Sequence, residues 1–326
     1  MANEIRGLHH LTTITSDSPK IWNFWTNIMG LHLIKKTVNQ DDVRTYHLYF
    51  TDDMGTGGSV LTFFDFPGIQ KAQFGTDEIS KTTFRVPNDA SFEYWIERFK
   101  QFNIRYDEKI EELFGSKYLN FYDFDDQRYA LISDENDHFN DITKPHAAWR
   151  DSEVDPQFAI QGLGPEFLTI NDPKLLDAVI TSVMGAEEKG REGDFTLYEF
   201  NNGGHGAQVI TFLSRLIPRG VQGFGGPHHL AFLVDDKQAL DYWIQRLNEL
   251  GFQESGFVDR FYFKSNYFRP TPGILFELAT NGPGFLLDET YEEAGHHLEL
   301  PPFLEPYRSD IEKNLVPFNS GDENKA

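Results

Sequence analysis

The chain has 326 residues, a formal net charge of −22 at pH 7 and no cysteine. The acidic charge disfavours nucleic acid and anionic membranes as partners, because both repel a negative surface. The lack of cysteine excludes disulfides, thiolate nucleophiles and thiolate metal ligands, so any metal has to be held by His, Asp or Glu.

The amino-terminal sequence MANEIRGLHH lacks the charged-then-apolar layout of a secretory signal peptide. No apolar run approaches the roughly 20 residues that span a bilayer. From these two features we expect a soluble, cytoplasmic protein without a membrane partner.

The first predicted unit covers about residues 6–66 and begins with the strand-like segment GLHHLTTIT. A polar turn follows, in which Asp17 or Ser18 is the candidate N-cap of an amphipathic helix. Gly30 fits the left-handed position at which that helix ends. An apolar run and two further strand-like segments, RTYHLYFTD and SVLTFFDF, complete a strand–helix–strand–strand–strand plan.

The same plan recurs three times along the chain, at about residues 80–134, 160–215 and 226–280. The last copy opens with GPHHLAFLV, a near-repeat of the first segment, and its helix has Asp235 or Asp236 as candidate N-cap and Gly251 at its end. One unit has too small a core to be stable alone, whereas paired units can bury a shared face and leave a concave pocket.

We therefore predict an α+β fold of four βαβββ modules, paired into two domains with cupped mixed β-sheets. Residues 135–158 resemble a linker, which places an N-terminal domain at 1–150 and a C-terminal domain at 151–326. The C-terminal domain ends in a mixed polar tail at 281–326.

Two histidine pairs, His9–His10 and His228–His229, open matching strands of the first and fourth units. Neighbouring side chains of a regular strand point to opposite faces, so one histidine of each pair can face a metal. Glu277 stands inside the apolar strand GILFELA, where an unpaired carboxylate is costly. Two imidazoles and one carboxylate form the facial triad of non-haem Fe(II) enzymes.

Internal comparison of the units restricts the site to one per chain. Glu277 aligns with Thr62 in the first unit, and the ligand histidine aligns with Lys81 in the second unit and falls near Pro165 in the third. We therefore predict one metal, shared by the first and fourth units. The alternative is that these histidines are ordinary core or turn residues, as a single buried histidine usually is.

These segments, together with YHLYFTDDMGTGGSVLTFF and DRFYFKSNYFRPTPGILFELATNGPGF, resemble the vicinal-oxygen-chelate superfamily over nearly the whole chain. Within it the chain is most similar to dioxygenases that open hydroquinone rings. The resemblance implies that His10, His229 and Glu277 hold Fe(II), or Mn(II) in some members.

The same resemblance implies roles for four further residues. His9 and His228 correspond to residues beside the ligands, where they orient the ligands or act as acid–base groups. Arg260 and Tyr267 correspond to residues of the substrate pocket, although an ordinary ion pair of Arg260 with Asp259 or with another surface carboxylate is an equal alternative. Relatives often have Pro-Gly-Gly before the last strand; here Pro272 and Gly273 precede Ile274, which leaves the exact substrate open.

Three other features receive structural interpretations. We expect His47 to pack in the sheet, His205 to lie in a glycine turn, and the helically spaced Glu293 and His297 to lie on the surface.

The predicted function is an Fe(II)-dependent ring-cleaving dioxygenase that acts with O2 on a small hydroquinone or catechol, in quinol detoxification or aromatic degradation. One alternative is a glyoxalase-like isomerase with Zn or Ni, against which Thr62 argues, because that chemistry usually requires a fourth protein ligand. Another is a non-catalytic protein that binds an aromatic compound. A homo-oligomer remains open.

Overall fold

The computed structural model describes residues 3–321 and contains the four predicted βαβββ units in sequence order. The first unit comprises β1 (Gly7–Ile14), α1 (Ser18–Trp22) with a π-helical continuation (Asn23–Ile28), β2 (His32–Asn39), β3 (Asp42–Thr51) and β4 (Val60–Phe64). The second unit comprises β5 (Glu78–Val86), α2 (Ser91–Gln101), β6 (Arg105–Tyr106), β7 (Glu111–Leu113), β8 (Ser116–Tyr122) and β9 (Arg128–Ser133).

The third and fourth units repeat the plan. The third comprises β10 (Glu166–Ile170), α3 (Pro173–Ala178) with a π-helical continuation (Val179–Val183), β11 (Glu187–Glu192), β12 (Phe195–Glu199), a 3₁₀ turn (Gly204–Ala207) and β13 (Gln208–Leu213). The fourth comprises β14 (Gly226–Val234), α4 (Lys237–Glu249), β15 (Val258–Asp259), β16 (Lys264–Thr271) and β17 (Ile274–Thr280). The α+β fold class is therefore confirmed.

The predicted helix boundaries have the expected chemistry. Asp17 caps α1 by accepting a hydrogen bond from the Lys20 amide at 2.9 Å, and Asp236 caps α4 in the same way from Ala239. The first helical segment and α4 are followed by Gly30 and Gly251, whose φ angles of 79° and 78° favour glycine.

Each of two sheets joins two units: the outer two units form one sheet and the inner two form the other. The eight-stranded sheet has the order β15-β16-β17-β14-β1-β4-β3-β2 and joins the fourth unit to the first. The nine-stranded sheet has the order β11-β12-β13-β10-β5-β9-β8-β6, with β7 paired to β8, and joins the third unit to the second. Each sheet thus takes one unit from each side of the proposed boundary between residues 150 and 151, which itself stays a prediction.

The helices bury their apolar faces between the sheets. The Trp25 ring, in the first helical segment, lies 4.9 Å from the Phe84 ring and 5.0 Å from the Tyr129 ring, both of the second unit. The largest group of buried hydrophobic residues accordingly draws on all four units. None of the helices within residues 3–321 has the length and hydrophobicity that a membrane crossing requires.

The segment after β17, which was predicted to be a mixed polar tail, packs on the first unit. It contains two 3₁₀ turns and the helix α5, at Phe285–Leu287, Glu305–Tyr307 and Arg308–Glu312. Its side chains Leu300, Ile311 and Leu315 are buried. The buried Lys35 ammonium of β2 pairs with its Asp288 and Glu289.

Candidate metal centre

Two imidazoles and one carboxylate converge in the middle of the eight-stranded sheet. Nε2 of His10 lies 3.2 Å from Nε2 of His229 and 3.1 Å from Oε2 of Glu277. Nε2 of His229 lies 2.9 Å from the same carboxylate oxygen. All three side chains are buried, and they come from the adjacent strands β1, β14 and β17. The structure therefore brings together the three residues predicted as metal ligands.

Strand register explains why only this sheet has the cluster. Ala231 of β14 pairs with both His10 and Glu277, so these two residues flank it on the neighbouring strands β1 and β17. The equivalent pair in the first unit is Thr12 with Thr62, so Thr62 does occupy the place that corresponds to Glu277. In the other sheet the corresponding register places Lys81 beside Phe167, and Phe167 beside Ile210. Those positions offer no comparable set of ligands.

The electrostatics of the cluster fit a cation. Burial disfavours the charged form of Glu277, but the neighbouring His10 and His229 outweigh this effect and hold the pKa of Glu277 well below its usual range. One carboxylate oxygen, Oε1, accepts a hydrogen bond from Ser265 at 2.5 Å. The other, Oε2, is buried and has only the two imidazole nitrogens of the cluster within reach. A buried anionic oxygen that faces two imidazole nitrogens is the donor set that a divalent metal takes.

The first histidine of each pair orients the second. Strict alternation would put the two rings on opposite faces, but a β-bulge interrupts the pairing of β1 and β14 at His9 and at His228. The extra residue lets each ring turn toward its neighbour. The Nδ1 atoms of His9 and His10 lie 2.8 Å apart, and those of His228 and His229 lie 2.7 Å apart. One histidine of each pair, His10 or His229, thus belongs to the cluster, while its neighbour contacts it from outside the cluster.

These contacts determine the tautomers. Burial, reinforced by the neighbouring ligand histidine, lowers the pKa of both His9 and His228 to about 3, so both rings are neutral. If His10 binds a metal through Nε2, its proton lies on Nδ1, and the neutral His9 accepts it. His9 also hydrogen-bonds the Thr280 backbone, so both its nitrogens are occupied. His228 instead lines the cavity next to the cluster.

A cavity of 420 Å³ opens over the cluster. Its walls are mainly aromatic and include the polar β2–β3 turn. The lining side chains besides the cluster are Asn39, Gln40, Asp41, Asp42, His47, Tyr49, Phe64, Phe66, His228, Arg260, Phe263, Tyr267 and Leu275. This size and lining suit a small aromatic molecule with a few polar substituents.

Arg260 and Tyr267 lie together on one wall of the cavity, as predicted. Arg260 Nε donates to the Tyr267 hydroxyl at 3.0 Å, and the Tyr267 ring stands edge-on to the His229 ring at 5.6 Å. The guanidinium also pairs with Asp41 at 2.9 Å, whereas Asp259 pairs with Lys264. Burial and the charge of Glu277 raise the pKa of Tyr267, which keeps its hydroxyl protonated.

The opposite wall holds polar residues that sequence reasoning missed. His47 was expected to pack only structurally, but its ring lines the cavity. Its Nδ1 lies 2.7 Å from the Tyr49 hydroxyl and its Nε2 lies 2.9 Å from Thr62 Oγ1. Thr62 Oγ1 lies 2.8 Å from Thr12 Oγ1, which lies 3.0 Å from His229 Nε2. The alternation of β3 carries the signal, because His47 and Tyr49 share the face opposite the core residues Leu48 and Phe50.

Other acidic and histidine clusters do not resemble this one. Asp134, Asp137 and His205 also lie close together, but Arg85 already supplies the positive charge, at 2.7 Å from Asp134. His205 is buried in the predicted glycine turn and hydrogen-bonds Asp134. Glu293 and His297 are exposed, as expected.

Comparison with known proteins supports this interpretation of the fold. The sequence profile of the Glyoxalase/Bleomycin resistance protein/Dioxygenase superfamily matches residues 7–131. MhqA of Bacillus subtilis (strain 168), named provisionally as a ring-cleaving dioxygenase, is 37% identical over 320 residues, which cover 97% of this chain and 99% of MhqA. A chlorohydroquinone/hydroquinone 1,2-dioxygenase of Sphingobium indicum is 27% identical, with 97% of each chain covered.

A solved structure resembles the whole molecule. The crystal structure of a provisionally assigned dioxygenase from Bacillus subtilis superposes with a TM-score of 0.88 at 34% identity and covers 98% of this chain and 99% of that chain. Identity at this level over essentially the full length shows common family membership. The chain therefore belongs to the Glyoxalase/Bleomycin resistance protein/Dioxygenase superfamily, in which the full-length relatives described above carry dioxygenase names.

Proposed function

We propose that this chain is an Fe(II)-dependent dioxygenase that inserts O2 into the ring of a small hydroquinone-type substrate. The observation that carries the proposal is the cluster of His10, His229 and Glu277 beneath an aromatic cavity of 420 Å³. Three protein donors leave positions open on the metal, and Mn(II) accepts the same donor set. The names of MhqA and of the Sphingobium enzyme support ring cleavage and a hydroquinone substrate.

The metal, when bound, supplies the positions at which a phenol ionises and O2 is activated. The remaining work belongs to the chain. Phe64, Phe66 and Phe263 line the cavity and exclude water around an aromatic ring. The Tyr267 oxygen accepts a hydrogen bond from Arg260, so its own proton is available for donation to a substrate oxygen. The Arg260 charge favours the developing negative charge on the substrate.

The two acid–base candidates of the sequence receive different roles. His9 has both ring nitrogens engaged and is assigned the orientation of His10. His228 engages only Nδ1 with His229 and lines the cavity, so its Nε2 is the atom that can exchange a proton with substrate. Removal of toxic quinols is the biological role that this chemistry suggests.

The test is oxygen uptake by protein that has been purified anaerobically and loaded with Fe(II). Hydroquinone, methylhydroquinone and catechol are added separately, and metal-free protein corrects for unaided oxidation. We expect iron-dependent uptake of one O2 per ring, with both atoms of ¹⁸O2 in a ring-opened product by mass spectrometry.

Two variants make the test specific. Glu277→Gln should lose both bound iron and uptake. Glu166→Gln is the matched control, because Glu166 is also a fully buried strand carboxylate, but in the other sheet, where burial raises its pKa well above its usual range and keeps it neutral. Iron-loaded wild type without uptake above the control would contradict the proposal and favour isomerase or binding activity, to be tested with methylglyoxal–thiol adducts.

A further inference from the structure

The turn between β2 and β3 lines the cavity and is attached to the loop between β15 and β16, which carries Arg260. Oδ2 of Asp41 lies 2.9 Å from Nη2 of Arg260. Independently, Gln40 Nε2 donates to the backbone carbonyl of Arg260 at 2.9 Å. The Asp41 amide donates to Oδ1 of Asn39, also at 2.9 Å, which fixes the backbone of the turn. The turn therefore presents the Asp41 carboxylate to Arg260.

The charges on the cavity wall leave an anion without a free cation. Among the described residues that line the cavity, Arg260 is the one lysine or arginine, and its Nε already donates to Tyr267 at 3.0 Å. Its positive charge is balanced by Asp41. Asp42 also lines the cavity, and Arg44, which does not, pairs with both its oxygens at 2.8 Å. The wall thus offers no net positive charge.

The remaining charges do not change this balance. Burial lowers the pKa of His47 well below its usual range, so this imidazole is neutral, like that of His228. The charge of a bound divalent metal is matched by Glu277 and by the phenolate of the substrate. The whole chain carries a net charge of −22. A carboxylate that enters the cavity therefore loses its hydration without gaining a partner, and the field of the chain repels its approach.

We infer that Asp41 is a specificity-determining residue, which restricts the cavity to hydroquinones with uncharged ring substituents and excludes those that carry a carboxylate. The inference rests on the dioxygenase function proposed above and adds a substrate class to it. Asp41 acts in two ways: it neutralises Arg260, with which an anionic substituent would otherwise pair, and it places its own negative charge on the wall. Alkyl and halogen substituents are uncharged and gain from burial against the aromatic wall.

The experiment compares two substrates of the same shape that differ in charge. 2,5-Dihydroxyphenylacetate carries the carboxylate, and 2,5-dihydroxyphenylacetamide is its neutral counterpart. In both, the methylene group disfavours chelation of the metal by the substituent together with the neighbouring hydroxyl. The preference is measured as the ratio of kcat/KM values for oxygen uptake by Fe(II)-loaded protein, and independently by calorimetric binding without oxygen. We expect wild type to prefer the amide roughly a hundredfold, the effect of an anion that stays unpaired in the cavity.

Three variants assign the preference to Asp41. Asp41→Asn keeps the shape and removes the charge, so the preference for the amide should fall about tenfold, because Arg260 is then free to pair with the carboxylate. Asp41→Glu should retain the wild-type preference. Asp259→Asn is the matched control, because it makes the same change in total charge beside Arg260, but the Asp259 side chain pairs with Lys264 and does not line the cavity. It should also retain the wild-type preference.

Ionic strength separates the effect of charge from that of shape. The Asp41 side chain is 71% exposed, so salt screens its charge. The preference of wild type for the amide should therefore weaken as salt rises from about 20 mM to about 0.5 M, and that of Asp41→Asn should change much less.

The outcomes separate the two proposals. If wild type cleaves the acid as well as the amide, or if Asp41→Asn keeps the wild-type preference, the role of Asp41 is wrong and the dioxygenase function stands. The same holds if both compounds are rejected while methylhydroquinone is cleaved, because size then decides, or if Asp259→Asn matches Asp41→Asn, because total charge then decides. If wild type cleaves none of the three hydroquinones, the function itself is contradicted and this inference fails with it. Should Asp41→Asn fail to fold, Asp41→Ser and the salt series on wild type carry the same test.

Discussion

At the scale of single residues, the histidine pairs combine one proposed ligand with one residue that fixes the ligand's tautomer. His9 is neutral, and its Nδ1 lies 2.8 Å from Nδ1 of His10, so it can accept the Nδ1–H of a His10 that binds metal through Nε2. Without this acceptor, the His10 ring can rotate and its proton can occupy either nitrogen. The orientation of a metal ligand commonly depends on such a partner.

The prediction is that His9→Phe lowers metal affinity roughly 10- to 100-fold, the usual effect of losing a partner that orients a ligand. His9→Asn should retain most of the affinity, because the Asn Oδ1 can accept near the position of the histidine Nδ1. Competition with a chelator of known affinity measures both variants. Equal affinity in His9→Phe and wild type would mean that His10 is oriented by its strand alone.

At the level of single residues, the sequence predicted the three converging side chains. It did not predict the bulges, or the polar residues His47 and Tyr49 on the cavity wall. Motif resemblance selected His10 over His9, a choice that strand alternation alone could not make. At His9, a bulge adds a residue and turns the ring toward its neighbour. The position of His47 on the cavity wall was missed because it depends on which strands surround the cavity, and a local sequence pattern does not show this.

At the scale of elements, the segment after β17 is attached to the first unit by a buried charge cluster. The Lys35 ammonium is fully buried, lies 2.7 Å from Asp288, contacts Glu289, and lies 4.9 Å from the Tyr262 ring centre. Burial raises the pKa of Glu289 to about 7, against the opposing effect of Lys35. Phe285 of the same segment packs on Tyr49, so this attachment supports a cavity wall.

We predict that Lys35→Met lowers the free energy of unfolding by about 1–3 kcal/mol, because the partly buried carboxylates of Asp288 and Glu289 lose their cation. Urea denaturation at pH 7 measures the loss. Lys313→Met is the control, since its pair with Asp310 is exposed and should leave stability unchanged within error. A Lys35→Met variant as stable as the control would indicate that the segment is held by its apolar contacts alone.

In the nine-stranded sheet, the half-buried Lys81 occupies the position that corresponds to His10, and the charge of Lys81 should make stability depend on pH. Lys81 Nζ lies 4.2 Å from the Phe167 ring centre and donates to Asn120 at 3.1 Å. Burial lowers the pKa of Lys81 from 10.5 to about 8. Between these values the unfolded chain binds the extra proton, so stability from this group rises with pH. Below about pH 8 the folded and unfolded chains both carry the Lys81 proton, so its charge lowers stability by an amount that does not depend on pH.

The expected result is that wild type gains stability relative to Lys81→Met as the pH rises from 8 toward 10.5, while their difference is constant at lower pH. Urea denaturation of both proteins at pH 7, 8, 9 and 10 checks the trend. The exposed Lys174→Met variant serves as reference and should show no such trend. A pH-independent difference for Lys81→Met would contradict the shifted pKa.

Element periodicity made the four units predictable, since strands, helices and terminal glycines repeat with the same spacing. Their pairing required more than periodicity. A shared site between the first and fourth units followed from which units carry His10, His229 and Glu277. The domain division at residue 150 followed only from a linker-like composition, and both sheets draw on each side of it. A linker-like composition indicates a flexible segment of the chain, whereas the pairing of strands depends on which sheet edges and faces pack together.

At the scale of the whole molecule, the proposed ligands connect the two ends of the chain. His10 lies in residues 1–150, whereas His229 and Glu277 lie in residues 151–326. The antiparallel pairing of β1 with β14 brings them together. In the other sheet, β5 and β10 form the corresponding antiparallel pair. A metal bound to all three ligands therefore stabilises the folded state as a cross-link between chain ends, by RT ln(1 + [metal]/Kd).

It follows that neither half alone should bind Fe(II) with the affinity of the intact chain, because residues 1–150 supply one ligand and residues 151–326 supply two. Refolding the halves together should restore binding, since the β1–β14 pair can re-form between separate chains. Metal content after gel filtration in a chelator-buffered solution measures this. The control is intact protein that is folded first and then cleaved within residues 135–158, which should keep its metal. Binding by residues 151–326 alone at full affinity would remove His10 from the ligand set, and the cluster would then lie within the fourth unit rather than between the two ends of the chain.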